Sequence, residues 1–293
     1  MASTRLSTCA DQVRRQDRDR YLTTLFAPAE RREDLFALYA FNLEVAKTAE
    51  IVSEAMVGRI RLQWWREAVD EIYGGRPRAH AVVEPLAQVV DRHGLSRTPF
   101  DRLIDAREVD LDGEPPADMA ALEAYAEGTA TSLFALALGV LGLGVVGLGV
   151  VDGPADQGPA AEAAHHLGVA WALTGLARAV PFHARQKRSY LPADLTSAAG
   201  LDTAELFELR ASPALGRVIE EIAASATDHL QAVRRLRRDL PRAAAPLLLF
   251  APLAEDHLRR LSRAGFNPFD PKVQAERPGT VWRLAWASWL RRY

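Results

Sequence analysis

Acidic side chains are the first place to look for chemistry in this chain. Asp105, Glu108, Asp110 and Asp112 crowd the end of one predicted helix, close enough to share a cation. The competing reading is a solvated face paired with neighbours such as Arg102 and Arg107. His165 and His166 are adjacent, so their rings point about 100° apart on a helix and do not chelate as an i, i+4 pair would. A core or surface place is expected for both. Trp64-Trp65 is expected to turn one ring inward as core packing, the other sideways. Arg234, Arg235, Arg237 and Arg238, and later Arg259, Arg260 and Arg263, alternate with leucines as basic outer faces of amphipathic helices. Such faces are usually solvated, though they can meet anionic lipid or an acidic partner. No phosphate loop, HExxH pair or GxSxG elbow occurs. Gly142–Gly147 formally matches GxGxxG, but a helical stretch precedes it and Asp152-Gly153-Pro154 ends any helix that follows. It is read as a decoy.

The elements that must position these groups are helices. Leu35, Leu38, Val45, Ala49 and Val52 recur at helical steps, and Leu62, Trp65, Val69 and Ile72 repeat the pattern until Gly74-Gly75. Further helices are predicted over 82–93, 100–111, 118–141, 159–180, 205–209, 215–240, 246–264 and 279–292. Alternating β-branched runs with hairpin turns are missing, as is any fixed-period repeat. The 293 residues are 48% hydrophobic and 25% charged, with a net charge of -2. That excludes a disordered tail or a disulfide scaffold and gives no global field for nucleic acid. The single Cys9 cannot form an internal disulfide or a cysteine-based zinc site. The expected organisation is a flexible N-terminus over residues 1–14 and one all-α domain over 15–293, with no export signal. Leu133–Val151 has 19 residues without a charge or side-chain hydrogen bonder, the length of a membrane span. Its five glycines and the absence of a flanking Lys/Arg cluster favour a buried helix followed by a glycine-rich loop.

Two segments carry a family resemblance. Leu35–Glu50, and Leu173–His183 continued by Arg185, Lys187, Arg188 and Tyr190-Leu191-Pro192, resemble the two motif regions of the squalene/phytoene synthase family. Trp64–Glu67 with Ile72-Tyr73, Leu103–Asp105 leading to Asp110–Gly113, and Gly265–Phe269 agree in order. The resemblance spans about residues 15 to 292. It implies the all-α isoprenoid (terpenoid) synthase fold, a single helical domain around a central apolar cavity.

The resemblance also implies a mechanism. Members ionise prenyl diphosphates with Mg²⁺ held by two Asp-rich motifs on facing helices, acids falling at i, i+3 and i+4 on one face. Here the first motif aligns with Ala46, Lys47 and Glu50 and the second with Ala179, Phe182 and His183. One carboxylate of six survives, and Leu43 replaces the arginine that usually precedes the first motif. Lys47 would repel Mg²⁺, Phe182 offers no ligand, and Pro181 is expected to disfavour continued regular helix. Tyr39, Lys47, Arg178, Arg185, Lys187, Arg188 and Tyr190 are then the candidates for holding an anionic head group without metal; the alternative is that these bases only pair with neighbouring acids.

The pattern of departures resembles the non-catalytic branch of the family. That resemblance implies no catalytic residue and no cofactor, and a role in assembling respiratory complex I (NADH–quinone oxidoreductase), with a complex I subunit or assembly intermediate as partner. An isoprenoid or lipid ligand is conceivable, and nucleic acid is not expected. The expected location is cytoplasmic with peripheral contact at the inner membrane, on the matrix side in a mitochondrion. An active head-to-head prenyltransferase using Mg²⁺, and a plain isoprenoid- or lipid-binding protein, are the alternatives.

Overall fold

The computed structural model describes residues 6–52, 54–143, 158–275 and 278–290, and among these no strand occurs. Ser7 caps α1 (Thr8–Gln16), its hydroxyl accepting the Ala10 N–H, and Asp17 caps α2 (Arg18–Thr24) through the Arg20 N–H. Each cap satisfies an amide that has no intrahelical acceptor. Cys9, Ala10 and Val13 form the buried face of α1 and pack toward α3 (Ala29–Ala46), so the expected boundary at residue 15 falls inside a packed helix. Burial, with Glu33 nearby, lifts the Cys9 thiol to about 11, which keeps it protonated and unreactive. After α4 (Thr48–Ile51) comes α5 (Ala55–Tyr73), which stops at the predicted Gly74-Gly75.

Several predicted helices differ in outline, 246–264 among them, which divides at Leu249. The stretch 100–111 is two helices, α7 (Thr98–Ala106) and α8 (Val109–Asp112), following α6 (Val83–His93). The break lies at Arg107, whose side chain is drawn inward to a tyrosine described below. The stretch 118–141 is α9 (Met119–Ala126), a π-helical turn over Glu127–Thr131, and α10 (Ser132–Val140). Hydroxyls occupy the carbonyls that a wide turn loosens: Thr129 Oγ1 donates to Tyr125 O at 2.7 Å and Ser132 Oγ to Glu127 O at 3.2 Å. Close packing flanks this turn on both sides. A Cβ at Gly128 would lie 2.6 Å from that of Ala106, and one at Gly168 would lie 2.6 Å from Thr131 Cα.

α11 (Pro159–Arg185) runs through Pro181 rather than ending before it. The proline removes one hydrogen bond, but Ala177, Val180 and Ala184 on either side are buried, and that burial keeps the helix continuous. The chain continues as α12 (Ala193–Ala199), α13 (Thr203–Phe207), α14 (Pro213–Leu236) and α15 (Ala245–Leu248). It closes with α16 (Phe250–Arg263), α17 (Pro271–Gln274) and α18 (Thr280–Leu290).

The long α11 is the axis of the fold, flanked by α14, α10, α16 and the π-turn. Aromatic rings tie its inner face to its neighbours: Trp171 meets Phe250 at 4.8 Å, and Phe250 meets Phe134 at 5.0 Å. On the other side Phe41 stacks edge-on with Trp65 at 5.4 Å and Phe100 at 5.3 Å. Trp65 is the inward ring of the tryptophan pair, as expected, and Trp64 lies beneath the Arg78 guanidinium. Leu133–Val140 forms most of α10 and is largely buried; residues 144–157, with most of the glycine-rich stretch and of the GxGxxG match, lie outside the described residues. Among the described residues no helix is long and apolar enough to cross a membrane.

Candidate functional site

Two of the sequence-predicted regions converge where α4 and α8 approach the C-terminal end of α11. Ala46 ends α3, and Lys47 sits at its C-cap with Nζ paired to Glu44 Oε1, which also accepts from Gln12 Nε2 at 2.6 Å. The lysine charge is therefore already engaged by the preceding turn. Glu50, on α4, is exposed. Partial desolvation lifts its carboxyl above 4.5, Arg107 and Arg188 pulling it down and Asp110 pushing it up.

Asp110 is the centre of this region, and it is 4% exposed. Arg107 Nη1 donates to its Oδ2 at 3.2 Å, Tyr190 O–H donates to its Oδ1 at 2.8 Å, and Arg188 Nη1 donates to its backbone oxygen at 3.2 Å. The same Arg107 Nη1 lies 2.6 Å from Tyr125 Oη. Burial alone would lower the Arg107 guanidinium, yet Tyr125 and Asp110 hold it well above its usual value. Burial raises the Tyr190 phenol, and Asp110 raises it further. Both tyrosines are neutral at pH 7. His183 packs against Tyr190 with ring centres 4.6 Å apart, and burial drives its imidazole down to about 4, so it too is neutral. Phe182 caps His183 from the solvent side at 5.4 Å. The groups facing one another are thus two guanidiniums and two carboxylates, with no surplus of either sign. Ile51, Met56, Val57, Ile60 and Val109 expose apolar side chains on α4, α5 and α8 beside it.

The other candidates stand elsewhere. Arg178 belongs to a separate cluster between α11, α2 and α16, with Nη1 2.8 Å from His257 Nε2 and 4.0 Å from Asp19 Oδ2. Arg260 Nη2 lies 2.8 Å from the other His257 nitrogen. A neutral imidazole accepts at one nitrogen only, so one of the two contacts is an electrostatic neighbour and not a hydrogen bond. Burial resists ionisation of Asp19, but His257, Arg178 and Arg20 hold its carboxyl below 3.8. Tyr39 is buried with Arg20 over its ring at 5.7 Å, and burial raises its phenol. Arg185 and Lys187 are exposed, Lys187 with a left-handed φ of 55°. Of the seven anion-binding candidates, Arg188 and Tyr190 share a site.

Nor does the acidic cluster act as one. Asp105 and Glu108 pair with Arg66 at 2.8 and 3.1 Å, Asp112 with Arg59 at 2.6 Å, and Asp110 with Arg107. Sequence reading missed Tyr125 and His229. His229 Nδ1 lies 2.9 Å from His166 Nδ1, with Glu123 and Glu127 at 4.0 and 3.7 Å from His229 and His165. The packing of α11 on α14 brings His166 and His229 together, with α9 and the π-turn supplying the two glutamates, and no local spacing announces it.

Comparison with known proteins places this geometry. The squalene/phytoene synthase family model matches residues 13–287. The chain belongs to the squalene/phytoene synthase family. It is 33% identical to NADH dehydrogenase (ubiquinone) complex I, assembly factor 6, of Bos taurus, over 97% of this chain and 82% of that protein. A presqualene diphosphate synthase of Rhodopseudomonas palustris is 28% identical over 76% of this chain and 75% of its own. The crystal structure of a dehydrosqualene synthase superposes with a TM-score of 0.80 at 20% identity, covering 97% of this chain and 96% of that one, which shows a shared fold.

Within the squalene/phytoene synthase family, the Mg²⁺ cluster implied by the resemblance requires carboxylate oxygens on both facing helices. The residues present do not fit it. Lys47 and Phe182 stand where the resemblance would place metal ligands, and Arg107 and Arg188 lie close to Asp110 and Glu50. Among the described residues no group of three His, Cys, Asp or Glu is placed to hold a metal ion. The Asp110 carboxylate, already accepting from Arg107 and Tyr190, has little left to offer a hard cation, and Glu50 alone is one ligand.

Two half-buried imidazoles give the fold a pH dependence of defined sign. Burial takes His183 and His166 from 6.5 to about 4, His229 and Arg235 assisting at His166. Between those values the unfolded chain binds protons that the native state refuses, so stability is full above about 6.5 and falls as pH drops toward 4. For His183 the difference is worth on the order of 3 kcal/mol; His166, more solvated, contributes less. Glu50 opposes this weakly, because its raised pKa favours the native state as it protonates. Thermal midpoints measured from pH 7 to 4 are expected to fall, and His183→Gln to flatten the slope. A flat wild-type profile would show that the imidazoles are solvated.

Proposed function

We propose that this chain is a non-ionising member of its family that acts in the assembly of respiratory complex I. The observation that carries the reading is the charge-balanced network around Asp110, in which two guanidiniums face two carboxylates and His183 is neutral, beside the positions that the resemblance aligns with the two acidic motifs. A site with no surplus charge can neither concentrate Mg²⁺ nor stabilise a departing diphosphate, and ground-state binding of an anion is not catalysis. The similarity to assembly factor 6 over nearly the whole chain supports the same direction. On this reading the partner is a complex I subunit or assembly intermediate, and the exposed aliphatic rim of α4, α5 and α8 is a surface it can cover. Contact with the inner membrane is peripheral.

The test is deletion of the gene in its source organism, with complex I resolved on native gels. Loss of the assembled complex is expected, restored by the wild-type chain and by Glu50→Ala. A normal complex together with altered isoprenoid content would overturn the reading in favour of a lipid-handling role.

A further inference from the structure

We propose that the outer face of α18 docks the protein on an anionic lipid bilayer. α18 has two apolar faces. Leu284 and Ala287 are 2% and 8% exposed and pack inward, whereas Trp282, Trp286 and Trp289 are 81%, 60% and 74% exposed. Spacings of four and three residues place the three indoles within about 60° of one another, on the side opposite the buried pair. The rings of Trp286 and Trp289 lie 5.5 Å apart, so they form a stripe. Three outward indoles on one short helix are not scattered surface apolarity.

Size and charge choose the occupant. At about 250 Å² per indole, the three rings offer roughly 500 Å², short of the ~800 Å² per partner that a stable protein interface buries. Indoles do suit the headgroup boundary, where an apolar ring and an N–H donor are both accommodated. The surroundings are cationic. Residues 278–293 contain three arginines and no acid. Arg283 reaches Asp256 at 3.0 Å, and Arg259 and Arg260 approach the same carboxylate at 3.7 and 3.4 Å. Several guanidiniums around one carboxylate leave positive potential beside the indole stripe, complementary to anionic headgroups. A short helix combining indoles with flanking arginines lies in the interface plane and does not cross it.

This deepens the peripheral-membrane part of the assembly reading, and its test is independent of complex I. The full chain is floated with phosphatidylcholine vesicles containing 30% phosphatidylglycerol, and with vesicles of phosphatidylcholine alone. Binding is expected to the anionic vesicles, at least tenfold weaker to the neutral ones. It should be weakened at least tenfold by Trp282→Ser/Trp286→Ser/Trp289→Ser and largely kept by the three Trp→Phe changes. The exposed rings contribute little to the core, so an unchanged thermal midpoint confirms that the triple variant is folded. Undiminished binding by that folded variant, or no binding by wild type, would overturn the proposal. So would a concentration-dependent dimer in sedimentation velocity that the Ser variant disperses, which would assign the face to a second copy. If vesicle binding fails while gene deletion still abolishes complex I, this surface assignment falls and the assembly reading stands.

Discussion

Asp110→Ala is expected to destabilise the fold by about 3–5 kcal/mol, because it removes the carboxylate hydrogen-bonded to the Arg107 guanidinium and leaves the exposed Glu50 as its acidic neighbour. For a chain of this size that corresponds to a fall of roughly 10 °C in the thermal midpoint. Arg107 loses its 3.2 Å partner, Tyr190 loses the acceptor of its O–H, and Tyr125 is left beside a poorly compensated cation. Asp110→Asn, which keeps an acceptor but not the charge, should lose less. The double variant Arg107→Met/Asp110→Leu should recover most of the loss, since a buried pair removed together costs far less than one partner alone. Differential scanning calorimetry decides it: a single variant within 1 °C of wild type would mean the network is solvated and weak.

Ala46→Asp/Lys47→Asp/Ala179→Asp is expected to release no pyrophosphate from farnesyl or geranylgeranyl diphosphate with Mg²⁺, as is wild type. The substitutions rebuild much of the first platform, yet Phe182, His183 and Pro181 still deny the second. An aspartate at 47 would also face Glu44 without the cation that now pairs with it. A metal ion typically supplies several kcal/mol of transition-state charge stabilisation. At about 1.4 kcal/mol per decade, losing it puts turnover at least about a thousandfold below a catalytic relative assayed in parallel. Metal-dependent turnover by the triple variant would show that the second motif matters less than its chemistry implies. Turnover by wild type, abolished by Glu50→Ala, would instead establish the prenyltransferase alternative.

Helical periodicity made the architecture legible, because each helix carries an apolar face of its own. Leu38, Val45 and Trp65 could be placed inward from spacing alone, and they are buried. Less legible were the places where a side chain from one helix alters the backbone of another. Arg107 splits a predicted helix because Tyr125 and Asp110 draw it inward, and Pro181 is carried because its neighbours are packed. For the site, sequence pointed to the motif positions and to Arg188 and Tyr190. It grouped Asp110 with three acids that pair elsewhere, Asp105 and Glu108 with Arg66 and Asp112 with Arg59, and it passed over Tyr125 and His229. Charge pairing across separate helices leaves no periodic trace in a single chain.

The wide turn at Glu127–Thr131 has a consequence for length variation. In a regular helix nine residues turn through about 900°, so Tyr125 and Phe134 would point to opposite sides; a π-turn absorbs one residue and brings them to about 80°. A chain shortened by one residue within 127–131 would close that turn into ordinary α-helix. It would still present Tyr125 to Arg107 and Phe134 to Phe250. Loss of a single residue is thus absorbed here without re-registering either flank, in the middle of the protein where a change of length would normally be least tolerated.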